Sequence, residues 1–484
     1  MIRRALAILV AGAVVIGSGC AQPEPSAEQF AEQLAQRVTV DAMYADLVAL
    51  QHIADNNGGN RAFGTGGYEA SADYIAQALR SKGFEVSDTP FDVAVAYADT
   101  PVFRVAGQAV RAESMHYTLG TVPSGINAPL VPVPDTGCLV SDYGGLKIVG
   151  SVALVNRTGC SYEGKEAIAA KLGAAALVIA DDAADEPLVG SLGPRTEVQI
   201  PVIGIGKADG DRLRERPGPA TLVVTAGVRN THTHNVIAQT RTGSTRDVVM
   251  VGAHLDSVRK GPGINDNGSG VAAVLQTALQ LGSAPPVHNA VRFAFWSGEE
   301  IGDAGSKHYV QSLDLDGLKD IALYLNFDMI ASPNPGYFTY DGDQSGPLTE
   351  GGPPVRIPEG AAGIERTLVG YLNSTPKKPE DASFDGRSDD QPFAAAGIPA
   401  GGLESGSDEI MTEEQARRWG GAAGRPFDPN YHKKSDTVEH IDHTALEILG
   451  RGVAFAVGSY AQDVGGRNGV PARPDRTRHL ARTS

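Results

Sequence analysis

Five segments of this sequence carry residues able to bind a metal ion or move a proton. His254 and Asp256 follow the apolar run VVMVGA, Glu299 and Glu300 follow VRFAFW through Ser297-Gly298, and Asp328 closes LYLNF. Asp266 lies in GINDNGSG ahead of another apolar run, and His432 in DPNYHKKSD, which has no apolar periodicity. Singly, each has an ordinary explanation: a strand-end histidine, a helix cap, a turn acid, a loop histidine, a solvated pair of glutamates. Jointly they supply two imidazoles and several carboxylates, a nitrogen and oxygen donor set that suits zinc. Five ligands with one shared acid suit two ions about 3.5–4 Å apart, whereas one ion would leave carboxylates crowded and uncompensated. The pair Glu299-Glu300 is the costly part, because neighbouring like charges repel. Consecutive strand residues face opposite ways, which would let the two acids do different jobs.

The elements that must position these residues are legible in the hydrophobic pattern. The runs NVIAQT, DVVMVGA, AVRFAFW, ALYLNF and GIPAGGL alternate with the helical stretches GVAAVLQTALQLG and HTALEILGRGVAFAVGSYAQ. Apolar strands alternating with helices predict an α/β fold with a mostly parallel central sheet flanked by helices. Ligand sites in such sheets lie beyond the carboxyl ends of the strands, so three of the five segments reach one rim. Asp266, near the start of a helix, belongs on the same rim. Residues 40–92 have helical periodicity and need such a sheet as partner. Residues 105–228 differ: short strands such as SVALV, AALVIAD, IPVIGI and ATLVVTAG surround one helix-like stretch, YEGKEAIAAKLGA. They form a small α/β or β-rich domain, expected as an insertion in the larger one.

At 484 residues the chain has material for two or three domains, and its net charge of −16 argues against nucleic acid or an anionic membrane surface as partner. Arg3 and Arg4 precede a short apolar run ending in small residues, an export signal over 1–19. Cys20 follows Gly17-Ser18-Gly19 and resembles the processing site of bacterial lipoproteins, although Gly17 stands where leucine is usual. The expectation is an exported protein anchored to the outer face of the cell membrane by lipid on Cys20, with plain secretion as the alternative. Residues 20–38 read as a tether and 465–484 as a disordered tail. Cys138 and Cys160 remain, and in an exported chain they are expected to form a disulfide rather than a metal site.

In this order, VGAHLDSVRKGPGINDNGSGVAAVL, FAFWSGEEIGDAGSKHYV, LNFDM, FDGRSDDQPFAAAGIPAGGL and DPNYHKKSDT resemble the co-catalytic zinc aminopeptidases of clan MH, and the secreted leucine-preferring bacterial enzymes in particular. NRAFGTGGYEASADYI is similar to their N-terminal segment, and residues 109–229 to the protease-associated (PA) domain inserted in many members. The resemblance implies a peptidase domain over 39–108 and 230–464, and two Zn2+ per chain; calcium dependence stays open, with Ca2+ a further candidate. It implies that Asp266 bridges the ions, with His254 and Asp328 completing one site and Glu300 and His432 the other. Asp256 would support His254 and fix its tautomer. Glu299 would be the general base, Tyr431 the donor to the developing oxyanion, and Arg387 a residue of the substrate pocket. A cis peptide at Asp266–Asn267 is also implied. The substrates would be peptides with a free N-terminus, and the chain is expected to be a monomer.

Two positions depart from that pattern. Asn430 and Ser435 stand where relatives often carry a local cysteine pair, and Glu404 in GGLESG stands where an apolar residue is common. The second puts the expected leucine-like preference in question. Single-zinc glutaminyl cyclases and non-catalytic ectodomains are the competing readings. His232, His234, His440 and His443 lack accompanying ligands and are read as ordinary surface residues.

Overall fold

The computed structural model describes residues 26–193, 197–346, 356–384 and 386–480. The export signal and Cys20 lie outside the described residues. Two compact units divide the chain: Met1–Thr89 with Asn235–Ser484, and Pro90–His234, which interrupts the first.

The first unit is built on an eight-stranded mixed sheet. At its centre Ser244–His254 runs parallel to both Asn289–Trp296 and Ile321–Phe327, and Ile321–Phe327 parallel to Ala400–Glu404. Ala226–Gln239 and Phe338–Tyr340 join antiparallel on either side. All seven residues of Ile321–Phe327 are buried, as a strand covered on both faces requires. The helix Gly270–Leu281 is buried along nearly its whole length, which is why its sequence is apolar all round. His443–Gln462 starts where the Asp442 carboxylate accepts the Ala445 N–H at 2.8 Å.

Both ends of this unit correct the sequence reading. Within the segment read as a tether, Ala27–Arg37 is a helix with Phe30, Ala31, Leu34 and Ala35 buried. Ser26 and Gln29 cap it reciprocally, at 3.1 and 3.2 Å. Its Glu, Gln and Ala content hid a helical spacing of small and apolar residues. The segment read as a disordered tail is docked as far as His479, whose N–H donates to the Ala396 carbonyl at 2.9 Å. Arg476 is 2% exposed and Arg478 8%, and their guanidinium groups donate to the carbonyls of Lys319 (2.7 Å) and Ile321 (3.0 Å). A basic tail can be ordered when its charges meet carbonyls left over at the ends of other elements.

The second unit holds its own eight-stranded sheet, with the parallel run Ile126–Pro132, Val152–Asn156, Ala176–Ala180 and Val202–Ile205 in the middle. It begins earlier than the expected residue 109, because Val102–Val105 pairs with Pro219–Val223 inside this sheet. Cys138 and Cys160 are joined in a disulfide. The buried Lys165 donates to the carbonyls of Thr136 (2.6 Å) and Thr158 (2.7 Å) on the two sides of that link. Among the described residues no helix is long and apolar enough to cross a membrane.

Candidate metal centre

Three adjacent parallel strands end at one rim and deliver polar residues there. His254 is the last residue of Ser244–His254, Asp328 follows Ile321–Phe327, and Glu299 follows Asn289–Trp296 after a glycine with φ 78°. Glu299 and Glu300 sit in a single 3-10 turn, Glu299–Ile301, rather than in a strand, so strand alternation is not what separates them. The turn nevertheless splits the pair. Glu300 Oε2 is 3.2 Å from His432 Nε2, and Glu299 Oε2 is 3.8 Å from His254 Nε2.

Asp266 stands between the two histidines. Its Oδ1 is 3.3 Å from His254 Nε2 and its Oδ2 3.1 Å from His432 Nε2. Asp328 Oδ1 lies 3.3 Å from the same His254 nitrogen. The potential ligand atoms fall into two groups, His254 with Glu299 and Asp328, and Asp266 with Glu300 and His432. Glu300 Oε1 and Asp328 Oδ1 are buried without a hydrogen bond. Two histidine nitrogens, a carboxylate facing both and orphaned buried oxygens form a donor set that fits two zinc ions.

Several residues hold this arrangement. His254 Nδ1–H donates to the backbone carbonyl of Asp256 at 3.0 Å, which leaves Nε2 to face the acids. The Asp256 carboxylate, expected to do this, is 3.9 Å away; its Oδ1 instead accepts the N–H groups of Gly298 (2.8 Å) and Glu299 (3.2 Å). It therefore anchors the glutamate turn. The Asp266–Asn267 peptide is cis. The Asp436 carboxylate accepts the N–H groups of Asn265 (2.8 Å) and Asp266 (3.1 Å), and Asn267 Nδ2 donates to the Phe327 carbonyl at 2.9 Å. Arg61, fully buried, donates to the carbonyls of Leu255, Pro262 and Gly263. Ser388 donates to Asp328 Oδ2 at 2.8 Å and accepts from Asn326 at 2.9 Å. Asp436, Arg61 and Ser388 were not singled out from sequence. Asp436, four residues past His432, and Arg61 in the quoted NRAFG segment were the available signals.

The protonation balance is that of acids gathered out of water. Burial drives Glu299 well above the ordinary carboxylate range, with Glu300, Asp328 and Asp389 adding repulsion. Burial, with the nearby Asp266 charge, pushes Glu300 up to about 7. Burial would raise Asp266 too, but hydrogen bonds from His254 and His432 carry it well below the usual range. Burial opposes a charge on His432, yet its bonds to Asp266 and Glu300 lift it to about 10.

A cavity of about 460 Å3 opens on this centre and is lined by Asp266, Glu299, Asp328, Tyr431 and His432. Tyr431 stacks on His432 with ring centroids 3.8 Å apart. Arg387 reaches the cavity from an exposed position, 3.6 Å from Glu409. His432 itself has a left-handed backbone, φ 57°, on a loop without the cysteine pair. Away from the cavity, the imidazole of His232 contacts Asp92 at 3.0 Å on the surface of the second unit.

Comparison with known proteins identifies the family. The profile of peptidase family M28 matches residues 235–457, and that of the PA domain residues 126–213. The chain is 56% identical over 459 residues to the "Probable lipoprotein aminopeptidase LpqL" of Mycobacterium tuberculosis, covering 94% of this chain and 92% of that protein. It is 41% identical over 428 residues to an aminopeptidase of Pseudomonas aeruginosa, covering 84% of this chain and 78% of that one. Among solved structures, an aminopeptidase from an Aneurinibacillus strain superposes with a TM-score of 0.67 at 27% identity, over 89% of this chain and 96% of the other. A zinc aminopeptidase from Bacillus subtilis shares the fold, with a TM-score of 0.71 at 24% identity over 89% and 98%. With its rim of histidines and acids in the region matched by the peptidase profile, the chain belongs to peptidase family M28 and carries a PA domain within it.

Proposed function

We propose that this M28 peptidase is a two-zinc aminopeptidase that removes the N-terminal residue, leucine-like side chains included, from peptides. The observation that carries the reading is Asp266, whose two carboxylate oxygens each lie within 3.3 Å of a different histidine nitrogen. Zinc bound at such a centre would supply Lewis acidity toward the scissile carbonyl and toward a water near neutral pH. His254 and Asp328 would hold one ion, Glu300 and His432 the other, and Asp266 both. Glu299, 13% exposed at the cavity, is the group that takes the proton of the attacking water and returns it to the departing amine. The Tyr431 phenol, raised by burial and by the charges of Asp266 and Glu300, stays protonated and donates to the carbonyl oxygen as it gains charge. The acids of the rim receive the free N-terminal amine, which confines cleavage to the first peptide bond. The similarity to a protein named a lipoprotein aminopeptidase and the Cys20 segment support export and anchoring at the outer face of the membrane.

Metal analysis combined with hydrolysis of leucyl 4-nitroanilide tests this reading. About two zinc ions per chain and loss of activity on chelation are expected. Glu299→Gln should keep its zinc while kcat falls at least about 100-fold. Glu300→Gln should lose one ion. Cyclisation of an N-terminal glutaminyl peptide without anilide hydrolysis would overturn the assignment.

A further inference from the structure

The strand Phe338–Tyr340 has two different faces. Phe338 and Tyr340 line the cavity, whereas Thr339 turns to the inner face, with its ladder partner Leu403. Across its other ladder Thr339 pairs with Asp381 of the strand Glu380–Ala382, so these two side chains share the inner face. Pairing continues one residue further, the Asp341 N–H donating to the Ala382 carbonyl at 3.0 Å, and Asp341 returns to the face of Thr339. The helix Ala361–Asn373 packs on this face, where its Ile364 lies against Gly401, two residues before Leu403. Its neighbour Glu365 is buried there as well.

Four carboxylates meet where these elements join. Oxygens of Asp341, Asp343 and Glu365 lie within 4.8 Å of one another, and the Ser345 hydroxyl, donating to Asp381 Oδ2 at 3.4 Å, ties in the fourth. Asp341 is 5% exposed and Glu365 7%, while Asp343 opens to solvent. Asp341 accepts the N–H groups of Ser345 (2.9 Å) and Gly346 (3.0 Å), Asp343 that of Ser345 (3.0 Å), and Glu365 that of Asp343 (2.9 Å). Among the described residues no lysine, arginine or histidine forms an ion pair with any of the four acids. Burial, with repulsion from Asp343, Asp381 and Asp341, pushes Glu365 up to about 7. Acids gathered in this way are costly out of water unless a cation meets them.

Thr339 is a second and independent sign. It is fully buried and its hydroxyl oxygen has no hydrogen-bond partner, although it stands opposite Asp381 and on the face of Asp341. Buried hydroxyls ordinarily find a partner. Together these groups offer oxygen alone, the donor set of a hard cation rather than of zinc. The loop itself reads Asp341-Gly342-Asp343-Gln344-Ser345-Gly346, alternating oxygen donors that close on glycine, as calcium loops do. A Cβ on Gly346 would fall 3.0 Å from Asp341 Oδ2, so the close turn around that carboxylate requires glycine. We propose that Asp341, Asp343, Glu365 and Asp381, with the hydroxyls of Ser345 and Thr339, form a calcium site. Magnesium is reluctant to shed its water, so a cage of protein oxygens favours the larger ion. The site shares no residue with the zinc centre and goes beyond the aminopeptidase reading. It lies behind the aromatic wall of the cavity, where calcium ties loop, helix and both strands together.

Calcium binding to the zinc-loaded protein tests this, by equilibrium dialysis with radioactive calcium and by the thermal midpoint. The unmodified protein should take up calcium with a Kd of about 0.1–1 mM, the range of extracellular calcium modules. Saturating calcium should raise the midpoint by about 2–4 °C, and the same concentration of magnesium should raise it less. Glu365→Gln and Asp343→Asn keep the shape of the side chain and remove one charge, and each should weaken calcium binding at least about tenfold. In calcium-free buffer the midpoint of each variant should equal or exceed that of the unmodified protein, because one repelling charge is gone. The exposed position of Asp343 keeps that variant informative should the buried one fail to fold. No saturable calcium uptake by the unmodified protein up to about 10 mM, or unchanged affinity in the folded variants, overturns the inference.

Discussion

Asp266 faces two histidines because its backbone is held from several directions. The carboxylate of Asp436 takes two consecutive N–H groups of this loop, and Arg61 ties three carbonyls around it. Asp436→Asn should keep the fold but weaken zinc binding about 10- to 100-fold, the usual effect of removing support behind a metal ligand. Competition with a chelator of known affinity measures this, and unchanged affinity would show that the loop is rigid without Asp436. The candidate ligands were legible in sequence because four of the five, His254, Asp266, Glu300 and Asp328, fall at strand ends or helix starts. Their supports were not. Arg61 is 194 residues or more from each carbonyl it holds, and no periodicity links positions so far apart. Asp256 shows a related limit: its place beside His254 was readable, but which of its oxygens touches the ring was not.

At the scale of elements, strands were easier to read than the ends of the chain. A buried strand announces itself by a continuous apolar run, as ALYLNF does, and a buried helix by GVAAVLQTALQL. Ala27–Arg37 carries its packing face on only four residues, Phe30, Ala31, Leu34 and Ala35, among polar ones, which composition alone does not distinguish from a linker. Its fit depends on Gly458 in His443–Gln462, where an added Cβ would come within 2.7 Å of Ala31 Cα. Gly458→Leu should therefore push the two helices apart and cost about 1–3 kcal/mol, an overpacking penalty seen as a lowered thermal midpoint. An unchanged midpoint would mean that the N-terminal helix adds nothing to the stability of the unit. The glutamate turn teaches the converse. Alternation predicted that Glu299 and Glu300 would part, and they do, but a glycine-initiated turn rather than a pleat parts them.

For the whole molecule, the insertion was visible as a change of pattern between residues 105 and 228, while its structural limits fall at 90 and 234. The difference arises because strand pairing, which no local pattern encodes, recruits Val102–Val105 to the inserted sheet. The tail was misread because its arginines looked like solvated charge, and solvated charge is their commoner use. The proposed anchoring also belongs to this scale. Replacing Cys20 by alanine should move aminopeptidase activity from the membrane fraction to the medium, and retention in the membrane fraction would exclude a lipid on Cys20 as the anchor.

The docking of the N-terminal helix has a consequence for the order of assembly. The Val38 carbonyl accepts from Arg451, 413 residues downstream. During synthesis the first helix to emerge must wait for nearly the last one, and the whole inserted unit appears in between. The catalytic unit can complete its packing only after the chain is finished, whereas residues 90–234 contain their own sheet, core and cross-link. Such distant pairing slows folding and leaves apolar surface uncovered for longer. Under the export proposed above, a peptidase that cannot close early would remain open to translocation and inactive until it is outside.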